Sequence, residues 1–277
     1  MTMIEAKVIA DSVSEVGKRI TTLQLVYPRF IHAEFMTHRV FSRNASSSRA
    51  IPVAKMIEQV RTNPAMPIHW GKNQAGMQAR EELTGVQLAI VRDEWKEAAY
   101  QAAEIAESMM NQGAHKQIAN RILEPFQHIH VVVTATEFDN FFALRDHPDA
   151  QPEIRQLAIC MKNAMAGSVQ RVLKEEEWHL PYILDDEHDA LPVEDLCKIS
   201  AARCARVSYL KHDGTSPDVA EDLALFTKLV GSVPIHASPV EHQASPLNDP
   251  EAHSGNLKGW LQYRKLVEMF ITTRSTS

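Results

Sequence analysis

Three cysteines, Cys160, Cys197 and Cys204, are all the thiol chemistry this chain has, and no two stand in a CxxC spacing. That excludes a thioredoxin-like redox pair, and an odd count points to reduced, mostly buried thiols rather than a disulfide framework. GxGxxG, GxxxxGK(S/T) and GxSxG are also missing, which removes the commonest dinucleotide, phosphate-loop and hydrolase signatures. No apolar run is long enough to cross a bilayer. The opening stretch MTMIEAKVIADSVSEV carries acidic residues and no apolar core flanked by positive charge, so neither a signal peptide nor a membrane partner is expected, and the expected location is cytoplasmic. A basic excess is absent as well: 29 Lys and Arg face 35 Asp and Glu, a net charge of -6. This argues against polymeric nucleic acid as a partner, since duplex binding rests on neutralising phosphates, but it leaves room for a local pocket for one phosphate.

What is present is an ordinary soluble composition, 44% hydrophobic and 23% charged over 277 residues, with no low-complexity linker. EAKVIADSV (5–13) and RITTLQLVY (19–27) read as two strands joined by a turn at Gly17, and HIHVVVTAT (128–136) as a third. A helix is predicted after Pro28, through RFIHAEFMTHRVF, with the polar stretch 42–50 as a loop. Further helices are predicted from Pro52 through Arg61 and over 77–111, 114–123, 149–175 (capped by Asp149), 193–209, 217–230 and 258–270. The stretch DDEHDALP (185–192) reads as an acidic loop. Helices dominate and strands are few, so the expected fold class is α+β, one domain over 1–277.

Four polar stretches carry chemistry. In THRVFSRNASSSRA (37–50), Arg39, Arg43 and Arg49 with Ser42, Ser46, Ser47 and Ser48 are an inventory for holding phosphate oxygens, or else a solvated Ser/Arg loop. In NFFALRDHPDAQPEIRQLA (140–158), Arg145 emerges from an apolar run; the bland alternative pairs it with Asp146 or Asp149. In HKQIANRILEP (115–125), Arg121 lies on a helix, where a solvated face is the simpler account. In PIHASPVEHQ (234–243), His236, Glu241 and His242 cluster, but the two histidines are six apart around Pro239 and match no helical zinc signature, so no metal is expected.

His38, Arg39, Ser42, Asn44, Ser47 and Arg49 stand in the spacing HRxxSxNxxSxR, which resembles the RHRxxSxNExSxRY signature of the flavin-dependent thymidylate synthases. NFFALR followed by AQPEIRQLA resembles that family's NFLxLR and AQWEIR, and NRILEP (120–125) resembles its ARxVLP. ARVSY (205–209) and HASPVEH (236–242) are similar to the family's ARVSY and Hx(S/T)PFEH, which in typical members precede the signature and here follow it. The resemblance therefore implies a circularly permuted fold, with a central, mainly antiparallel sheet flanked by long helices, in which 193–270 corresponds to the usual N-terminal part.

The resemblance also implies a reaction: FAD as cofactor, NADPH and methylenetetrahydrofolate as co-substrates, and transfer of a one-carbon unit to C5 of dUMP, giving dTMP. By position, Arg145 matches the arginine that holds the pyrimidine and serves catalysis with Ser47. Glu34, Arg39, Ser47, Arg49 and Arg121 match the nucleotide site. His38, Asn44, Asn140, Ser208, His236, Ser238 and Glu241 match flavin-contacting positions, and the expected assembly is a homotetramer with shared sites. Thr37, Ala45 and Ala50 replace the signature's arginine, glutamate and tyrosine, and Glu34 stands where a glutamine is usual. A glutamate accepts from a cytosine amino group, which admits a cytosine nucleotide as substrate. Two alternatives are carried. One is a flavin- and folate-dependent dUMP or dCMP hydroxymethylase, as a bacteriophage uses to make modified DNA. The other is a non-catalytic nucleotide-binding protein that has lost the flavin.

Overall fold

The structure is a computed structural model that describes residues 2–207, 214–216, 218–232 and 234–275, the last four by backbone alone. Its centre is a five-stranded sheet built from β1 (Glu5–Ser14), β2 (Arg19–Pro28), β3 (Ser42–Ala45), β4 (His128–Ala135) and β5 (Arg171–Leu173), in the order β3-β4-β2-β1-β5. Every junction is antiparallel except β1 with β5, which is parallel. The helices are α1 (His32–Phe35), α2 (Val53–Thr62), α3 (Gly85–Asn111), α4 (Lys116–Ala119), α5 (Asp139–Arg145), α6 (Pro152–Ala166), α7 (Asp185–Ala190), α8 (Val193–Arg206), α9 (Val219–Val230) and α10 (Tyr263–Ser275). Short strands β6 (Ala244–Pro246) and β9 (Trp260–Gln262) pair, as do β7 (His253–Ser254) and β8 (Leu257–Lys258). No helix among the described residues is long and apolar enough to cross a membrane.

The period-two alternation of strands gives the sheet two different faces. Leu23, Leu25, Tyr27, Val131, Val133 and Ala135 pack on Ile154, Leu157, Ala158 and Met161 of α6 and on Phe35, Phe41, Phe138 and Phe141. The opposite face is mixed, with Ile20 and Val132 buried beside a row of polar residues. It carries Ser12, Thr22, Gln24, Thr134, Ser42 and Asn44, and the C-terminal part of the chain closes over it with His179, Tyr182, α8 and His242. A separate cluster joins Val53, Met56, Ile57 and Val60 of α2 to Ala99, Ala103 and Ala106 of α3, where small residues at helical spacing allow close approach.

Several predicted boundaries move. The helix expected over 29–41 is a 3₁₀ turn, Arg29–Ile31, followed by α1, because Arg43 donates to the carbonyls of Met36 (2.8 Å) and His38 (3.0 Å) and stops propagation. The expected loop 42–50 begins as β3, whose inward residues Ser42 and Asn44 are polar and so show no apolar alternation. The helix expected over 149–175 is α6 alone, with Gln151 rather than Asp149 at its N-cap, and its far end becomes β5. The expected acidic loop 185–192 contains α7. The helix expected over 114–123 is α4 continued as a 3₁₀ segment, Asn120–Phe126, and 258–270 divides into β9 and α10.

Helix α8 is buried along most of its length from Leu196 to Cys204, and Arg203 within it is one of the largest fully buried side chains. Its guanidinium donates to Asp222 (2.9 Å), to both Glu187 oxygens (2.6 Å each) and to the Tyr182 carbonyl (2.8 Å), tying α7 and α9 to α8. A buried charge stripped of one partner is costly, so Asp222→Ala is expected to lower unfolding free energy by about 3 kcal/mol, the low end for such pairs because Glu187 remains. Urea unfolding reads this, and a loss below about 1 kcal/mol would show the network to be dispensable.

Candidate active site

The turn 37–41 and β3 present one assembled site. Phe141 of α5 sits against Phe35 (5.8 Å between ring centroids), Phe41 (5.3 Å) and the edge of His38 (4.8 Å), so aromatic packing seats α5 on the turn. That docking delivers Arg145, the last residue of α5, to three groups. Its Nε donates to His38 Nε2 (2.9 Å), a terminal nitrogen reaches Thr37 Oγ1 (3.4 Å), and the other lies 3.5 Å from the Glu34 carboxylate. The neighbouring aspartates are engaged elsewhere, Asp146 with Lys162 (2.7 Å) and Asp149 with Arg80 (3.2 Å). The bland pairing for Arg145 is therefore not the one adopted.

Arginine only donates, so His38 Nε2 must accept and the ring proton lies on Nδ1. Burial, and then the charges of Arg145 and Arg43, hold the His38 pKa below its ordinary value. The imidazole is thus neutral at pH 7 and fixes the guanidinium. Arg43, which looked like a phosphate ligand in sequence, is spent on backbone carbonyls of the turn.

The serines sort into different jobs. Ser42 is buried against Asn256 and Gln262, and Ser46 pairs with the His130 backbone. Ser48 is buried and donates to Glu124 (3.0 Å). Ser47 and Arg49 are exposed, with the Arg49 amide donating to Ser47 Oγ (3.3 Å). Arg121 is exposed and bonds Glu124 (2.8 Å). Arg39 is exposed on the turn and brought to no side-chain partner among the described residues.

The residues expected at a flavin divide likewise. Asn44 is 9% exposed; its amide donates to the Cys204 carbonyl (3.3 Å), while its Oδ1 is buried with no hydrogen-bond partner. Glu241 ends the 3₁₀ segment Ser238–Glu241, pairs with Arg264, and lies in the field of Arg43 behind β3. Segments some 200 positions apart in the chain thus meet at one edge of the sheet. His236 is exposed on the approach to that segment, Ser238 is exposed at its start, and Asn140 is exposed in the first turn of α5. Ser208 lies outside the described residues; Val207 before it caps α8 in the left-handed region (φ 57°), a conformation rare for a β-branched residue. No three His, Cys, Asp or Glu side chains converge as a metal cluster among the described residues.

Two polar features were illegible in sequence. Glu124 collects donors beside the serine loop. A buried chain of hydrogen bonds also crosses the sheet: Ser12 with His179 Nδ1 (2.9 Å), His179 Nε2 with Thr22 (2.8 Å), Thr22 with Thr134 (2.6 Å) and Thr134 with His242 Nδ1 (2.8 Å). Two cavities of about 1130 and 1160 Å³ run along 63–84 between α3 and α6, and neither is lined by Glu34, Arg145 or 42–50.

The α+β scaffold thus gathers guanidinium, carboxylate and hydroxyl groups on one turn and strand. The family described as thymidylate synthase complementing protein matches residues 15–169, more than half of the chain, and this chain belongs to it: it is a member of the flavin-dependent thymidylate synthase family. A comparison with curated proteins finds no match. Among solved structures, the UMP/dUMP methylase PolB from Streptomyces cacaoi is similar in fold. With 5-Br dUMP bound it shows a TM-score of 0.51 at 18% identity, covering 60% of this chain and 91% of that one. With 5-Br UMP bound the TM-score is 0.50 at 18% identity, covering 60% and 90%.

Proposed function

We propose that this protein is a flavin-dependent enzyme that transfers a one-carbon unit from methylenetetrahydrofolate to C5 of a pyrimidine deoxynucleotide, most simply dUMP to dTMP with NADPH as reductant. The observation that carries the reading is the position of Arg145, turned from its neighbouring aspartates onto Glu34, Thr37 and His38 of the signature turn. A guanidinium held there by a neutral imidazole orients the planar pyrimidine and stabilises negative charge developing on its ring. Ser47, Arg49, Arg121 and Arg39 serve the phosphate. Asn44 and Glu241, with His38, Asn140, Ser208, His236 and Ser238, hold FAD, which supplies the redox chemistry when bound. The unpartnered, buried Asn44 Oδ1 fits such a ligand, since it is an acceptor left without a donor. No cysteine is assigned a role: burial pushes the Cys197 thiol up to about 12 and raises that of Cys204 further.

A second reading rests on Glu34. Its carboxylate sits beside Arg145 where it would accept from the amino group of cytosine, which favours a dCMP substrate and admits a hydroxymethyl product. A homotetramer that completes the site from neighbouring subunits belongs to the same reading, on the family resemblance. The order of the motifs, with ARVSY and HASPVEH following the signature that they precede in typical members, supports the circular permutation.

The test is a product mass. Incubation with dUMP or dCMP, methylenetetrahydrofolate and NADPH is expected to add a methyl group to dUMP; a hydroxymethyl group, or reaction of dCMP alone, selects the second reading. Protein that is colourless and takes up no FAD would sink both and leave nucleotide binding without catalysis.

A further inference from the structure

Glu124 stands next to the serine loop and is the point where its donors converge. One oxygen, Oε1, accepts from Ser48 Oγ (3.0 Å), Arg121 (2.8 Å) and Arg29 (3.0 Å). The surrounding charge is otherwise positive: Arg49 is exposed on the same loop, and Lys116 donates to the Ala50 carbonyl (3.1 Å). Three convergent donors on one oxygen, two of them guanidinium, form the arrangement a phosphate oxygen would take. Ser48 and Arg29 are buried or nearly so, with 18% of the Arg29 side chain exposed, while Arg121 (53%) and Glu124 (24%) reach solvent. The anchored part of the cluster is thus fixed, and the Arg121–Glu124 contact lies where an incoming anion meets it.

We propose that Glu124 is a resident anion in the phosphate subsite, an internal competitor that a phosphoryl group must displace from Arg121 and Ser48 before it can bind. The inference rests on reading 42–50 and Arg121 as the phosphate end of the nucleotide site. A phosphate placed among Ser47, Arg49 and Arg121 would lie close to the carboxylate, and like charges at such range repel unless one moves. With Glu124 in place Arg121 is neutralised and the loop is pinned through Ser48 Oγ. With phosphate bound, Arg121 changes partner and Glu124 keeps Arg29. The affinity for phosphate is therefore lowered by the fraction of molecules in which Glu124 holds the donors. A selective consequence follows: the contact lowers affinity only for ligands whose phosphoryl group needs these donors, while a nucleoside without phosphate leaves the carboxylate in place and is indifferent to it.

The experiment compares the full-length protein with Glu124→Gln, which keeps size and one acceptor oxygen and removes the charge. Equilibrium binding of inorganic phosphate is expected to tighten at least tenfold in Glu124→Gln, with binding of deoxyuridine unchanged between the two proteins. Unchanged or weaker phosphate binding would overturn the proposal, the weaker result showing that Glu124 holds Arg121 in place for the ligand. Absence of phosphate binding to both proteins overturns it too. Should the variant unfold, the wild-type protein decides: a crystal structure with phosphate bound is expected to show Arg121 parted from Glu124, and a retained contact refutes displacement. Failure of the nucleotide reading is seen separately, as phosphate binding without any binding of dUMP or dCMP.

Discussion

Lowering the pH from 7 to 5 is expected to remove about 4 kcal/mol of folding stability, through two histidines that the fold keeps neutral. His179 and His242 are fully buried, and burial holds each pKa down to about 3, with Asp11 pulling the His179 value slightly back and His179 depressing that of His242 further. In the unfolded chain each titrates near 6.5. Below that value the unfolded state binds more protons than the native state, so stability falls with falling pH across the whole window from about 6.5 down to about 3. At pH 5 the loss is about 2 kcal/mol per histidine, and it depends on the unfolded value rather than on how far below 5 the folded one lies. His32 and His128, each held near 4 chiefly by burial, act in the same direction. Against a typical total of about 5–15 kcal/mol this is a large share. Urea unfolding at pH 7, 6 and 5 reads it; a flat profile would mean that these rings are charged or solvated in the native state. His242→Gln is expected to lower the slope by about a quarter to a half, since it removes one titrating ring while leaving an acceptor for Thr134.

The second large effect concerns Arg145. Arg145→Ala is expected to reduce turnover of the nucleotide at least 1000-fold while leaving the melting temperature within a few degrees. Its side chain lies at a helix end and is partly exposed, so little packing is lost. What goes is the fork that joins Thr37, His38 and the Glu34 carboxylate to the site. Arg145→Lys is expected to recover little, because an ammonium cannot hold three directions in one plane. Product formation measured by mass, alongside a binding measurement for dUMP, separates loss of chemistry from loss of affinity. Activity within tenfold of wild type would remove Arg145 from the catalytic machinery. Thr37 matters to the same arrangement. Its hydroxyl accepts from Arg145 and donates to the Glu34 carbonyl (2.7 Å), whereas the arginine usual at that position would set a second cation against Arg145.

Much of this site was legible along the chain. The spacing of His38, Asn44, Ser47 and Arg49 drew attention to one stretch, and the run NFFALR placed an arginine after an aromatic pair of which Phe141 is buried. The strand RITTLQLVY and the strand HIHVVVTA were also recognisable, because β-branched residues and flanking turns mark strands locally. Other elements failed for a local reason. β3 looks like a loop because its inward residues are serine and asparagine, and the helix expected through His38 ends early because a side chain seven residues beyond Met36 takes its carbonyl. Neither fact is encoded in residues adjacent to the element it alters.

The sequence by itself pointed to the family, through the resemblance of its motifs, and to the α+β class and the residue types available to hold an anion, since these follow from composition and from spacing within single segments. Tertiary structure alone decided which donors are free. It assigned Arg43 to a turn, Ser48 and Arg121 to Glu124, and Arg145 to Glu34 and His38 in place of two nearer aspartates. It also joined His179 and His242 through Thr22 and Thr134. A hydrogen bond depends on distance and direction between groups that the chain brings together only by closing long loops, so its partner is a property of the packed fold.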